Sequence, residues 1–160
     1  MATDARPFVG LLAGVAAGLV AAAAMAAFQS QAGKLLPEDD SNEDPSTVQA
    51  ADVVSKAVTG HRVPDAEREA SGQMVHFVVG AVMGGIYGVL TEYRPEASAG
   101  FGSAYGIATA TLLDEAAVPA LDLGPAPDEA PVESHIYGVA SHLVFGIVLE
   151  GVRRLIAGQR

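Results

Sequence analysis

The 160-residue chain contains no cysteine and no tryptophan, and only nine of its residues are lysine or arginine. The missing thiols exclude a disulfide scaffold, a Cys-based zinc site, a thiol nucleophile and a covalently attached haem of the Cys-x-x-Cys-His kind. The scarcity of cations, against 19 acidic residues and a formal net charge of -10, argues against nucleic acid as a partner. Few side chains are available to neutralise phosphates. No Gly-x-Ser-x-Gly elbow, phosphate loop or dinucleotide fingerprint occurs, so no enzymatic activity is expected. What is abundant is apolar residue, half of the chain, together with 18 glycines. Such a charge coexists with so much apolar residue because the two are kept apart along the chain.

Four apolar stretches follow one another. The first runs from Phe8 to about Phe28 without a charge, long enough to cross a hydrocarbon core of about 30 Å. Ala24-Met25-Ala26 resembles a signal cleavage site, but the run is long for a signal peptide, and retention is expected. The second covers Gly72 to Val89 and ends at Glu92-Tyr93-Arg94-Pro95. The third, from Ala97 to Leu121, carries Asp114 and Glu115. The fourth, from Ile136 to Ile156, carries His142 and Glu150. The expected fold is all-α: a four-transmembrane-helix bundle in a single integral membrane domain, with spans at about 8–30, 70–93, 98–121 and 135–157.

Between the first two spans lies an acidic loop, 33–69, opening with Glu38, Asp39, Asp40, Glu43 and Asp44. Asp44-Pro45 reads as an N-cap with proline at the first helical position, and Gly60 as the stop. Val48, Ala51, Val54 and Val58 follow at helical spacing between them, which predicts a short amphipathic helix. Asp122–Glu133 is acidic, proline-containing and short, and is a loop.

With four spans both termini share a side. Arg6, Arg94, Arg153, Arg154 and Arg160 fall on that side, mostly in short segments. Lys34, Lys56, Arg62 and Arg68 are spread over the long loop. The bias places both termini in the cytoplasm and the acidic loop outside it.

The chain also echoes itself. His76, Gly80, Val82 and Gly85 recur in register as His142, Gly146, Val148 and Gly151, and Gly10 and Gly14 are matched more weakly by Gly102 and Gly106. This reads as two repeated helical hairpins about an axis along the membrane normal. Gly10, Gly14 and Gly18 stand four apart, as do Gly80, Gly84 and Gly88. Gly102 and Gly106 repeat the interval, and Gly138 and Gly146 flank His142 at the same interval. Small residues so spaced let helices approach closely in lipid.

Ionisable residues inside spans are costly and turn to the bundle interior. His76, Asp114, Glu115 and His142 fall at similar depth, with His135 one heptad before His142. Glu150 lies about 12 Å further along the helix from His142 at 1.5 Å per residue. Three readings of this polar set stand open. It is structural; or it handles protons or ions, with His135, His142 and Glu150 as a partial relay; or His76 and His142 ligate haem b or, with Asp114, a divalent metal. The first needs no cofactor.

Ser141-His142-Leu143-Val144-Phe145, then Glu150 and Arg153-Arg154, with His76 and Glu92 bracketing span two, resembles the YagU-like family of bacterial inner-membrane proteins. The resemblance extends from Gly10 to Arg154 and includes Gly10-Leu-Leu-Ala-Gly14 and Pro119. It implies a multi-pass inner-membrane protein of four helices, of undefined biochemical activity, with a link to acid tolerance. Asp114 stands where that pattern has histidine. Beyond the lipid bilayer, candidate partners are a second copy of the chain or a larger membrane complex to which it is accessory.

Overall fold

The computed structural model describes residues 5–35 and 44–158. The acidic residues Glu38, Asp39, Asp40 and Glu43, and Arg160 at the end, lie outside them. Among the described residues every regular element is helical: α1 (Pro7–Ala32), α2 (Ser46–Thr59), α3 (Arg68–Tyr93), α4 (Ser103–Ala110), a π-helix (Thr111–Ala117), α5 (Val118–Ala120) and α6 (Val132–Ala157). Three helices are long and apolar enough to cross a membrane: Pro7–Ala32, Asp65–Tyr93 and Val132–Ala157.

The third apolar stretch departs from the expected span. Its helix starts at Ser103, not near Ala97, because Gly100, Phe101 and Gly102 all take positive φ, at 62°, 56° and 83°. Left-handed backbone at three successive residues cannot continue a right-handed helix. Phe101 takes this conformation without glycine's freedom, and its ring lies 4.8 Å from the Arg154 guanidinium carbon. Ser103–Ala120 is thus one helical segment with a π-wound middle. It ends beyond Pro119, where Asp122 has φ 53°.

α1 and α3 run antiparallel and touch through their glycines. A Cβ added at Gly10, Gly14 or Gly18 would collide with the carbonyl oxygen of Gly88, Gly84 or Gly80 respectively. Without a hydrophobic drive between helices in lipid, this backbone approach supplies the dispersion contact that holds the pair. α4 meets α6 similarly: Gly102 faces the Gly146 carbonyl and Gly106 faces the His142 carbonyl. α6 also lies against α1, with the Tyr137 hydroxyl donating to the Gln29 carbonyl at 3.2 Å and the Arg6 guanidinium donating to the Ala157 carbonyl at 3.0 Å. Ala17, Ala21, Ala22, Tyr87, Phe145 and Leu149 form the buried centre.

The contacts give the two helix pairs a common register that differs from the sequence alignment. Gly18 sits against Gly80 and Gly84; Gly102 sits against Gly146 and Glu150. Gly102 therefore takes the place of Gly18, two turns along from Gly10. Gly-x-x-x-Gly recurs every turn of α1, so the sequence alone could not choose between these registers. Gly138 makes no backbone contact of this kind; its nearest neighbour is the Asp114 carboxylate.

α2 docks on α3, with the Val48 side chain over Gly72. Its buried residues are Val48, Ala51 and Asp52, while Val54 and Val58 are exposed. The helix therefore turns a different face inward from the one the valines predict. Asp52 is the cause: its carboxylate accepts from the Val63 amide at 2.9 Å and from Arg68 at 3.1 Å. These partners, the amide first, hold the Asp52 carboxyl below its ordinary range. The N-cap is Pro45 rather than Asp44, and Gly60 closes the helix in the left-handed conformation as expected.

Candidate functional site

The polar residues of the spans separate into groups. At one end of the bundle, Glu150 is fully buried on α6 and receives hydrogen bonds from Arg153 at 2.7 and 3.0 Å, from Arg154, and from the Tyr87 hydroxyl at 2.8 Å. Glu92 lies close by and accepts the Arg6 amide at 2.7 Å. Arg6, Arg153 and Arg154 against Glu92 and Glu150 leave this group one positive charge in excess. Arg153 and Arg154 are thus occupied inside the bundle instead of standing free at its end, which weakens the charge bias read from the sequence. The signal was present: Glu150 with Arg153 and Arg154 has the i, i+3 and i, i+4 spacing of helix ion pairs.

At the other end, two adjacent carboxylates each meet a histidine of α6. Glu115 Oε1 lies 2.7 Å from His135 Nδ1, whose other nitrogen lies 3.0 Å from the Pro127 carbonyl. Asp114 Oδ2 lies 3.2 Å from His142 Nε2. Both acids belong to the π-helix. A π turn holds more residues than an α turn, so it redirects the side chains around it, and such turns recur at functional sites. Helical periodicity in the sequence gave no sign of it.

His142 is nearly buried, and its proton arrangement follows from its partners. Thr109 Oγ1 donates its one proton to the Gly106 carbonyl at 2.8 Å. The same oxygen lies 3.1 Å from His142 Nδ1 and must accept there, so Nδ1 carries hydrogen. Nε2 then faces the Asp114 carboxylate. His76 Nε2 lies 3.1 Å from the Ala22 carbonyl, which can only accept, so Nε2–H donates. Its Nδ1 has no partner among the described residues.

His76, His142 and Asp114 line one cavity of about 340 Å³ between α3 and the Ser103–Ala120 segment. α1 and α6 also line it, as do Ser46 and Thr47 of α2. Its wall is mostly aliphatic, with Met25, Met83 and Phe145. His135 and Glu115 lie outside this lining, and so does Glu150. Among the described residues no group of three His, Cys, Asp or Glu side chains converges as a metal site. Both histidine Nε2 atoms already face protein acceptors, which leaves neither aimed at a haem iron. The His135, His142 and Glu150 side chains each bond to different partners, and no hydrogen bond links one to the next.

Three helices long and apolar enough to cross a membrane, joined through glycine contacts and with buried ion pairs satisfied inside, are compatible with an integral membrane protein. The chain belongs to the family described as protein of unknown function (DUF1440), which matches residues 37–151. α1 precedes the matched stretch. No curated protein and no solved structure matches the chain.

Proposed function

We propose that the chain is a four-span, YagU-like protein of the bacterial inner membrane that binds a small lipophilic molecule without chemically altering it. In this reading the Ser103–Ala120 segment also crosses the membrane, as the third of four spans. The two helix pairs are duplicated hairpins, both termini face the cytoplasm and α2 lies outside. The common contact register of the pairs supports the duplication. The link to acid tolerance is supported by the resemblance alone.

One observation carries the binding reading: a largely apolar cavity with a few convergent polar groups, in the gap between α3 and the Ser103–Ala120 segment. Such a gap faces lipid, so a lipophilic molecule reaches it without crossing water. The purified protein in detergent should bind an alkylbenzene, and Ala117→Phe, which fills the cavity from the π-helix, should abolish binding while leaving the melting temperature unchanged or raised. Binding that persists at full strength in that variant overturns the reading. The topology is checked separately, since the chain lacks cysteine. Lys56→Cys and Glu96→Cys should label from opposite sides of the membrane, and labelling from one side excludes four spans in this order.

A proton-handling role has one observation in its favour, the 3.2 Å approach of His142 Nε2 to the Asp114 carboxylate. Proton flux into liposomes that disappears in Asp114→Asn would support it. A second copy or a larger membrane complex as partner would show as co-purification.

A further inference from the structure

The cavity lining carries a chemical preference. His76 on α3 and Asp114 on the π-helix present acceptors, while the donors Gln29, Ser46 and Thr47 belong to α1 and α2. His76 commits its Nε2–H to the Ala22 carbonyl, and its Nδ1 has no partner among the described residues. Asp114 accepts at most one proton from the His142 side and has further lone pairs on a carboxylate that is 42% exposed. The His142 Nδ1–H is held by Thr109. A molecule that can only accept hydrogen bonds leaves both of these acceptors unmet, although Gln29, Ser46 and Thr47 can still donate to it. One that donates finds two acceptors.

The rest of the lining suits a flat, polarizable head. Met25 and Met83 put thioether sulfur beside the cavity, and Phe145 adds an aromatic ring. Sulfur and aromatic faces attract each other favourably. Ser46 and Thr47 supply hydroxyls to the lining, where a second oxygen across the ring would meet them.

We infer that the cavity binds a lipophilic aromatic alcohol of the hydroquinone class, with one hydroxyl donating to His76 Nδ1 or the Asp114 carboxylate and the alkyl tail leaving through the gap into lipid. The inference rests on the lipid-facing cavity proposed above and adds the identity of the head group. It involves binding only. No electron or proton transfer to the ligand is invoked.

The test compares three probes on the full-length protein in detergent, by calorimetric titration: a hydroquinone with a medium-length alkyl tail, its oxidised quinone, and an alkylbenzene with the same tail. The hydroquinone should bind about tenfold tighter than either of the others, the size expected when one buried acceptor is satisfied. His76→Leu should remove most of that advantage and leave alkylbenzene affinity unchanged. In the unaltered protein, hydroquinone should shift the His76 Nδ1 resonance in a nitrogen-15 spectrum, so the inference does not depend on the variant folding. Equal affinity for all three probes overturns the head-group assignment while the apolar cavity stands. Tighter binding of the quinone reverses the donor and acceptor roles and overturns it as well. Binding of none of the three overturns the cavity reading and this inference together.

Discussion

The α1–α3 pair and the α4–α6 pair cross in the same register, with glycine at matched points (Gly18 and Gly102, Gly80 and Gly146), yet they differ at others. Where the first pair has Gly84, the second has Glu150; where the first has the His76 bond to a backbone carbonyl, the second has His142 between Thr109 and Asp114. The first pair meets at three glycine levels along α1. The second has two, and its α4 starts only at Ser103. Backbone contact leaves no room for side chains. The second pair gives up contact length and gains room for polar side chains at both ends, an ion-pair group at one and a cavity wall at the other. Closeness holds the first pair together, and charge and hydrogen bonding complete the second.

The sharpest way to break this comparison is at Glu150. Glu150→Leu leaves the buried Arg153 and the half-buried Arg154 without their shared carboxylate and should cost about 3–5 kcal/mol, read from thermal denaturation in detergent. Replacing Arg153 and Arg154 by apolar residues in the same variant should recover most of that loss. If the triple replacement is no better than the single one, the ion pairs are not what completes the second pair.

Next in size is the glycine contact. Gly84→Leu drives a side chain into the Gly14 carbonyl and the Gly18 backbone, and should cost roughly 3 kcal/mol, more than Leu149→Ala. Gly138→Ala should cost well under that, because the added methyl, 3.0 Å from Asp114 Oδ2, meets a movable carboxylate. Its signature is instead a disturbed His142–Asp114 pair. Equal melting temperatures for the Gly84 and Gly138 variants would show that backbone approach is not what holds α1 to α3.

Thr109→Val is a smaller change confined to the second pair. It removes the acceptor of the His142 Nδ1–H without altering side-chain shape and should cost about 1–2 kcal/mol. The imidazole proton resonances report the loss, and an unchanged Nδ1–H signal would contradict the hydrogen-bond order drawn for Thr109.

The smallest effect is expected outside both pairs, at Asp52. Its folded pKa is depressed, so its contribution is complete above the ordinary carboxylate value of about 4 and is lost as pH falls through the folded value. α2 should therefore exchange amide hydrogens faster in that acid range while the bundle keeps its melting behaviour. Asp52→Asn should show the same exchange at neutral pH. Undocking of α2 that is independent of pH would assign its attachment to Val48 and Ala51 alone.

Length, hydropathy and glycine spacing determined much of this protein from the sequence: helices only, three of the four long apolar ones expected, a short helix stopped by Gly60, and close approach through Gly10, Gly14, Gly18, Gly80, Gly84 and Gly88. These follow from local chemistry, since an unpaired backbone in lipid must be helical and small residues mark where helices touch. Tertiary structure decided what local pattern leaves degenerate. It chose which glycine of α1 corresponds to Gly102, because a repeat of four looks the same when slid by a turn. It ended the third stretch early through three left-handed residues, and it wound Thr111–Ala117 as a π-helix. Depth along a span placed Asp114, Glu115, His76 and His142 near one level, but lateral position is not written in any single helix. Only the packing of α6 against its neighbours paired His142 with Asp114 and His135 with Glu115, and kept Glu150 among its arginines at the far end. A charge inside a bilayer takes the nearest partner that the assembled helices offer, and that partner is known only once they are assembled.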